Sequence, residues 1–376
     1  MGRPKRGALS SFPPSLADKI KQIRGQKPGW GADSIVDELI NRHSVDIAQL
    51  PSVATINRFL QEQGLILPRE PKSVLPASGE CDQQVAAVHE AWQMDAQGAT
   101  LVEGLSCHAM INIKDVYSKV HCMAFPVPVK NTNSQPARVY YQWALRLAFS
   151  QWGLPMVIKV DKDSVFIDNK SSSPFPSLLH LWLIGLGVEL CFIKRAPPQE
   201  NALIERSHQI IERQVIWGQS YNSWQELWQY CQQRCDRLNR FLPNRMLSRK
   251  APLEYYPEAR HSGRQYCIKQ EQQLFNMQRV YKFLARCTWF RKVSKGRTIV
   301  LGGKTYYLSK GKPQVQVQIT FCANSLQLVF RDINDQVIDQ KSIRQLSGQD
   351  IMQGSSEQLL EIHNQLKLNQ HCPIKT

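Results

Sequence analysis

Apolar positions along the chain change period twice, and the changes divide it into three regions. In the first, Leu16, Ile20 and Ile23 recur at helical spacing, as do Ile35, Val36, Leu39 and Ile40 after the turn KPGWGADS. Asp33 or Ser34 is the expected cap of that second helix. A third helix is predicted after Ser52, with Ile56, Phe59 and Leu60 as its apolar stripe and Gly64 as its stop. Thr55, Asn57, Arg58 and Gln61 point away from the stripe. Residues 16–67 therefore read as a helix-turn-helix module, preceded by a basic arm over 1–15.

Residues 68–90 are rich in Pro, Ser and Gly and read as a linker. From Ala91 the apolar runs shorten. A strand carrying Asp95 is followed by a hairpin, HAMINIKDVYSKVHCMAFPVP. A helix over 136–152 (Val139, Trp143, Leu147, Phe149), the strand MVIKV, a helix over 178–185, the strand GVELCFI and a helix containing Glu205 come next. This βββαβαβα order is that of a mixed-sheet domain of the ribonuclease H type, assigned to 91–257. Trp224, Leu227, Trp228, Cys231 and Cys235 mark another helix. A basic helical connector is expected over 258–291. Beyond it, TIVLGGKTYYL, VQVQITF and LQLVFRD alternate with period two, predicting a small β-barrel over 292–350 and a polar tail over 351–376.

Composition narrows the partners. The 376 residues hold 47 Lys and Arg against 31 Asp and Glu, a formal net charge of +16, which favours a polyanion and, most often, nucleic acid. Ten cysteines without a CxxC pair read as reduced thiols. The N-terminus has no apolar segment of a signal peptide, and apolar runs such as Leu178–Leu186 are too short to span a bilayer. The expectation is a cytoplasmic, nucleoid-associated protein without a membrane partner.

Three carboxylates stand where chemistry is expected. Asp95 and Asp161 each follow an apolar run, and Glu205 lies one turn inside a helix. Their chain separations are 66 and 44 residues. Such a set can hold two hard divalent cations about 3.5–4 Å apart, which stabilise the attacking and leaving oxygens of a phosphodiester. Asp163 and Asp168 compete with Asp161, and Glu200 with Glu205. Glu205 is preferred because it follows Ala202-Leu203-Ile204 within the helix.

WQMDAQG, INIKDVYSKV, IKVDKDSVF and APPQENALIERSHQ, in this order, resemble the catalytic core of DDE-type transposases and retroviral-type integrases. The late PNRMLSRKAPLEYY is similar to that family's closing segment. The resemblance implies a ribonuclease H-like fold, a triad of Asp95, Asp161 and Glu205, and two Mg²⁺ or Mn²⁺ ions per site. It implies binding of mobile-element ends, cleavage to a 3′-hydroxyl and joining to target DNA. It also implies a homo-oligomer on double-stranded DNA, with scope for an accessory target-selection protein. Candidate DNA contacts are Thr55, Asn57, Arg58 and Gln61, then Arg206 and Arg213, then Lys282, Arg286, Arg291 and Lys292. The chain departs from the family at Asp163, which replaces a glycine, in a longer gap before the glutamate, and at Glu212, where a basic residue is usual. The rivals are an inactive element-derived DNA-binding regulator and a ribonuclease H-like nuclease.

Overall fold

The computed structural model describes residues 7–66, 85–161, 165–166, 173–193, 202–344 and 346–352. The turn at Pro197-Pro198, Asn201, and the competing acids Asp163, Asp168 and Glu200 lie outside the described residues. The chain divides into two compact units. One takes in residues 1–89, 94–136 and 196–260, and the other 90–93, 137–195 and 261–376.

The first unit begins with α1 (Pro14–Gln26), α2 (Ala32–Asn41) and α3 (Val53–Glu62). Leu16, Ile20, Ile23, Ile35, Leu39, Ile56, Phe59 and Leu60 close their common core, as the spacing requires, with Val36 packed at its margin. Pro14 opens α1, where a missing N–H costs nothing. Ser52 caps α3 by accepting from the Thr55 amide. Neither Asp33 nor Ser34 caps α2. The helix starts from Gly31, so both fall in its first turn, and Ser34 is buried. The connection from α2 to α3 runs from Arg42 to Ser52 through a 3₁₀ turn at Ile47–Gln49, longer than the short turn of a typical helix-turn-helix.

The strands of the central sheet are β1 (Ala91–Leu101), β2 (Cys107–Asp115), β3 (His121–Pro128), β4 (Val157–Val160) and β5 (Glu189–Phe192), in the order β3-β2-β1-β4-β5. β2 and β3 are antiparallel, whereas β4 runs parallel to both β1 and β5. This mixed sheet fits the expected ribonuclease H-like core. β1 gives Ala91–Gln93 to the second unit and Met94–Leu101 to the first. Its eleven residues make it longer than the sequence suggested, and Asp95 sits within it rather than at its end. The accompanying helices are α4 (Arg138–Trp152), α5 (Leu178–Gly185), α6 (Ala202–Ile211), α7 (Trp224–Arg240) and the short α8 (Pro252–Tyr255). α4 is buried on most sides, so the stripe expected of it is not its only apolar face. Val139 and Phe149 are buried, and Trp143 and Leu147 only partly. Cys231 and Cys235 are free, buried thiols of α7.

Within the first unit, the three-helix module is fastened to α7. Trp30 is buried, with Lys27 5.3 Å and Arg234 4.6 Å from its ring centroid. Arg234 donates to Ser34 Oγ at 2.8 Å and to Gln214 Oε1 at 2.7 Å. Arg237 pairs with Asp37. Gly29 is required here, because a Cβ would collide with the Arg213 carbonyl.

In the second unit, α9 (Glu271–Leu274) and α10 (Met277–Leu284) are short helices that precede β6 (Thr288–Lys292). β7 (Thr298–Leu301) and β8 (Lys304–Tyr307) form a hairpin whose Gly302 and Gly303 both take positive φ. β9 (Gln316–Cys322), β10 (Gln327–Arg331) and β11 (Val337–Ser342) complete a four-stranded antiparallel sheet in the order β11-β10-β9-β6. The region expected to form a barrel holds this four-stranded sheet and a hairpin whose strands β7 and β8 pair only with each other among the described residues. α11 (Gly348–Met352) begins the tail region.

Glu271 organises the helical part of this unit. It receives two hydrogen bonds from Arg146, both 2.8 Å, one from Trp182 Nε1 at 3.1 Å and one from the Tyr266 hydroxyl. Burial pushes its carboxyl upward, but Arg146 and the hydroxyl and indole donors outweigh burial and hold it below the usual range.

Trp30→Ala removes the ring that fastens the three-helix module. We expect a loss of about 3–5 kcal/mol in urea unfolding. Arg146→Met leaves Glu271 buried without a counter-charge, with an expected loss of about 3–5 kcal/mol. The double variant Arg146→Met/Glu271→Leu should recover much of that loss in the same titration.

Candidate catalytic site

On β1, Trp92 and Met94 turn inward, and alternation places Asp95 and Gln97 together on the opposite face. In α6, Ile204, Ser207 and Ile211 are buried. The spacing of Glu205, His208 and Glu212 places them on one helical face. Glu212 opens a single turn of π-helix, Glu212–Ile216, that continues α6.

These two faces meet in two polar contacts. His208 Nε2 lies 3.9 Å from Asp95 Oδ2. Gln97 Nε2 donates to Glu212 Oε2 at 3.1 Å. The rungs are two residues apart on the strand and four apart on the helix, about 6 Å in each case. Asp95 Oδ1 also accepts from the Ala96 amide at 2.8 Å. Burial lowers the His208 pKa to about 4, opposed by a hydrogen bond to the Asp95 main chain, so the ring is neutral at physiological pH.

The other side of α6 is fixed by Ser207, whose Oγ lies 3.0 Å from His121 Nδ1 on β3. His121 is held in turn by Asn239 of α7, which accepts from its amide at 2.8 Å and donates to its carbonyl at 3.0 Å. Beside it, Lys114 is buried on β2. Desolvation, followed by repulsion from Lys119 and Arg206, brings its pKa down to about 7. Asp115, the aspartate of the DVYS motif, has a structural task. Its carboxylate accepts from the His89 and Ser118 amides at 3.0 and 2.8 Å and closes the β2–β3 turn.

The predicted residues are placed as follows. Asp95 and the helix bearing Glu205 belong to the first unit, and Glu205 is exposed in the first turn of α6, where a carboxylate is favoured. Asp161 is exposed, immediately after β4, in the second unit. Among the described residues, no group of three His, Cys, Asp or Glu side chains is close enough to hold a metal ion. Arg206 is exposed beside Glu205. Arg213 is exposed on an open cleft of about 500 Å³ that Leu101, Glu103, Glu212 and Trp217 also line. On α3, Asn57, Arg58 and Gln61 are exposed, whereas Thr55 is half-buried with its hydroxyl 2.8 Å from Ser52 Oγ. Lys282, Arg286 and Lys292 are exposed. The Arg291 guanidinium instead donates to the carbonyls of Ser173 and Val300, at 2.8 and 3.1 Å.

Neither His208 nor Gln97 belongs to the candidate site residues that the sequence motifs single out. A signal was present, since a histidine three residues after Glu205 must share its helical face. Nothing local, however, told which strand that face meets. Among the described residues, no helix is long and apolar enough to cross a membrane.

No family model matches the chain. Two solved structures are similar to part of it. One is the HTLV-2 integrase catalytic core domain in complex with magnesium, in its dimeric form, at 13% identity and a TM-score of 0.32, covering 46% of this chain and 99% of that one. The other is the trimeric form of the same domain, at 14% identity and a TM-score of 0.32, covering 45% of this chain and 97% of that one.

Proposed function

We propose that the chain is a DNA transposase that cleaves at mobile-element ends and joins the freed 3′-hydroxyl to target DNA, with Asp95, Asp161 and Glu205 as its catalytic carboxylates. The observation that carries this reading is the meeting of α6 with β1, which sets Glu205 on the helical face that touches Asp95 through His208. The ladder between β1 and β4 adds support. It pairs Ala91 with Val157, Trp92 with Ile158 and Gln93 with Lys159, an offset of 66 residues, and Asp95 and Asp161 differ by that same 66.

The residues suit divalent cations such as Mg²⁺ or Mn²⁺. All three carboxylates reach solvent, and carboxylate oxygen is the donor those hard ions take. When bound, two such ions would stabilise the attacking and leaving oxygens of the phosphodiester. The protein's own contribution is to orient the acids, through the Ala96 amide on Asp95 and the turn of α6 under Glu205.

Charge supports a DNA partner. Between Glu271 and Asp332 there is no acidic residue, while six lysines and five arginines occur there. Lys282, Arg286 and Lys292 are exposed in this stretch and are assigned to phosphate contacts, and Asn57, Arg58 and Gln61 of α3 to the element end. Joining two ends in one event calls for more than one copy of the chain on double-stranded DNA.

The test is incubation of the protein with Mg²⁺ and oligonucleotides carrying candidate ends. Wild type should give 3′-end nicking and strand-transfer products. Asp95→Asn, Asp161→Asn and Glu205→Gln should each lower both by at least about a hundredfold while still binding DNA. Binding without cutting by wild type would point to a regulator, and cutting of RNA–DNA hybrid alone to a nuclease. In binding titrations across salt, each of Lys282→Ala, Arg286→Ala and Lys292→Ala should shallow the slope of log K against log salt by about 0.9. Arg291→Ala should act on folding stability instead.

A further inference from the structure

We infer that His208 is a positioning residue that sets the orientation of the Asp95 carboxylate; this rests on the reading of Asp95 as a catalytic acid. Three observations point to it. His208 Nε2 lies 3.9 Å from Asp95 Oδ2, with the ring largely buried against that carboxylate. Nε2 is buried and, among the described residues, has no hydrogen-bond partner, which is destabilising for a buried nitrogen. Such a cost is retained where the ring has a task. Finally, the other carboxylate oxygen is pinned by the Ala96 amide. A carboxylate fixed at one oxygen by its neighbour's amide and flanked at the other by an imidazole is restricted in rotation about its side-chain bonds.

The contact also links two acids. His208 lies three residues after Glu205 in the same helix, so the ring that limits Asp95 is rigidly tied to the turn that carries Glu205. The Gln97–Glu212 hydrogen bond keeps the helix from sliding along β1. Glu212, which departs from the family's usual basic residue, is therefore a register contact.

The experiment uses the full chain and Mn²⁺ alone as the probe, by calorimetric titration without DNA, beside the Mg²⁺ dependence of nicking. His208→Phe keeps the ring and removes both nitrogens. We expect Mn²⁺ binding to weaken about 10–100-fold, the usual effect of losing a group that orients a ligand, and the Mg²⁺ concentration for half-maximal nicking to rise in proportion. Nicking at saturating Mg²⁺ and DNA binding should change much less. His208→Asn, which keeps a polar nitrogen facing the carboxylate, should restore most of the Mn²⁺ affinity. It also serves if the phenylalanine variant does not fold. Wild-type Mn²⁺ affinity in His208→Phe, with Asp95→Asn impaired, would overturn the positioning role and leave the transposase reading standing. Equal loss in the Phe and Asn variants would mark the ring as structural and overturn it too. Absence of both Mn²⁺ binding and nicking in wild type would remove the reading on which the inference rests.

Discussion

The contact of α6 with β1 is the constraint on which the candidate chemistry depends. A helix that follows the last strand of a sheet can settle over it in several registers. Here two polar rungs, His208 to Asp95 and Gln97 to Glu212, select one. Ser207 against His121 prevents the helix from rolling, and Ile204 and Ile211 supply the apolar burial beneath it. Hydrophobic contact alone would favour burial without choosing a register, because it is non-directional. The polar contacts supply direction.

The same division of labour recurs elsewhere. Asp115 is fully buried, and it is tolerated because amides from His89 and Ser118 satisfy it at the β2–β3 turn. Glu271 is buried with Arg146, Trp182 and Tyr266 around it. Each is a polar hub in an otherwise apolar layer, costly to desolvate and therefore specific about its neighbours. Lys114 differs, since burial first, and then repulsion from Lys119 and Arg206, lower its pKa to about 7.

Positive charge is unevenly spread along the chain. The stretch between Glu271 and Asp332 carries it on α10, β6 and the loops of the C-terminal sheet. Charged side chains there remain in solvent while Trp289, Ile319 and Phe330 form the core below. Arg291 shows that charge alone does not assign a role, because its guanidinium is engaged by main-chain carbonyls.

Much of this was legible in the order of residues. The apolar spacing in α1, α2 and α3, the cap at Ser52, the turn at Gly302-Gly303 and the succession of strands and helices in the core follow from periods and turn chemistry that act over a few residues. Local rules failed where distant groups compete. Asp33 and Ser34 looked like caps, yet Gly31 starts the helix and Ser34 faces Arg234, two hundred residues away. α4 has no single stripe because it is buried on most sides. Among the described residues, strands β7 and β8 pair only with each other. The sequence by itself determined which acids were available, their chain separations and the helix on which Glu205 rides. Only the tertiary structure decided that His208 would meet Asp95 and Glu212 would meet Gln97, because a helix's spacing defines its faces but not the surface each face covers.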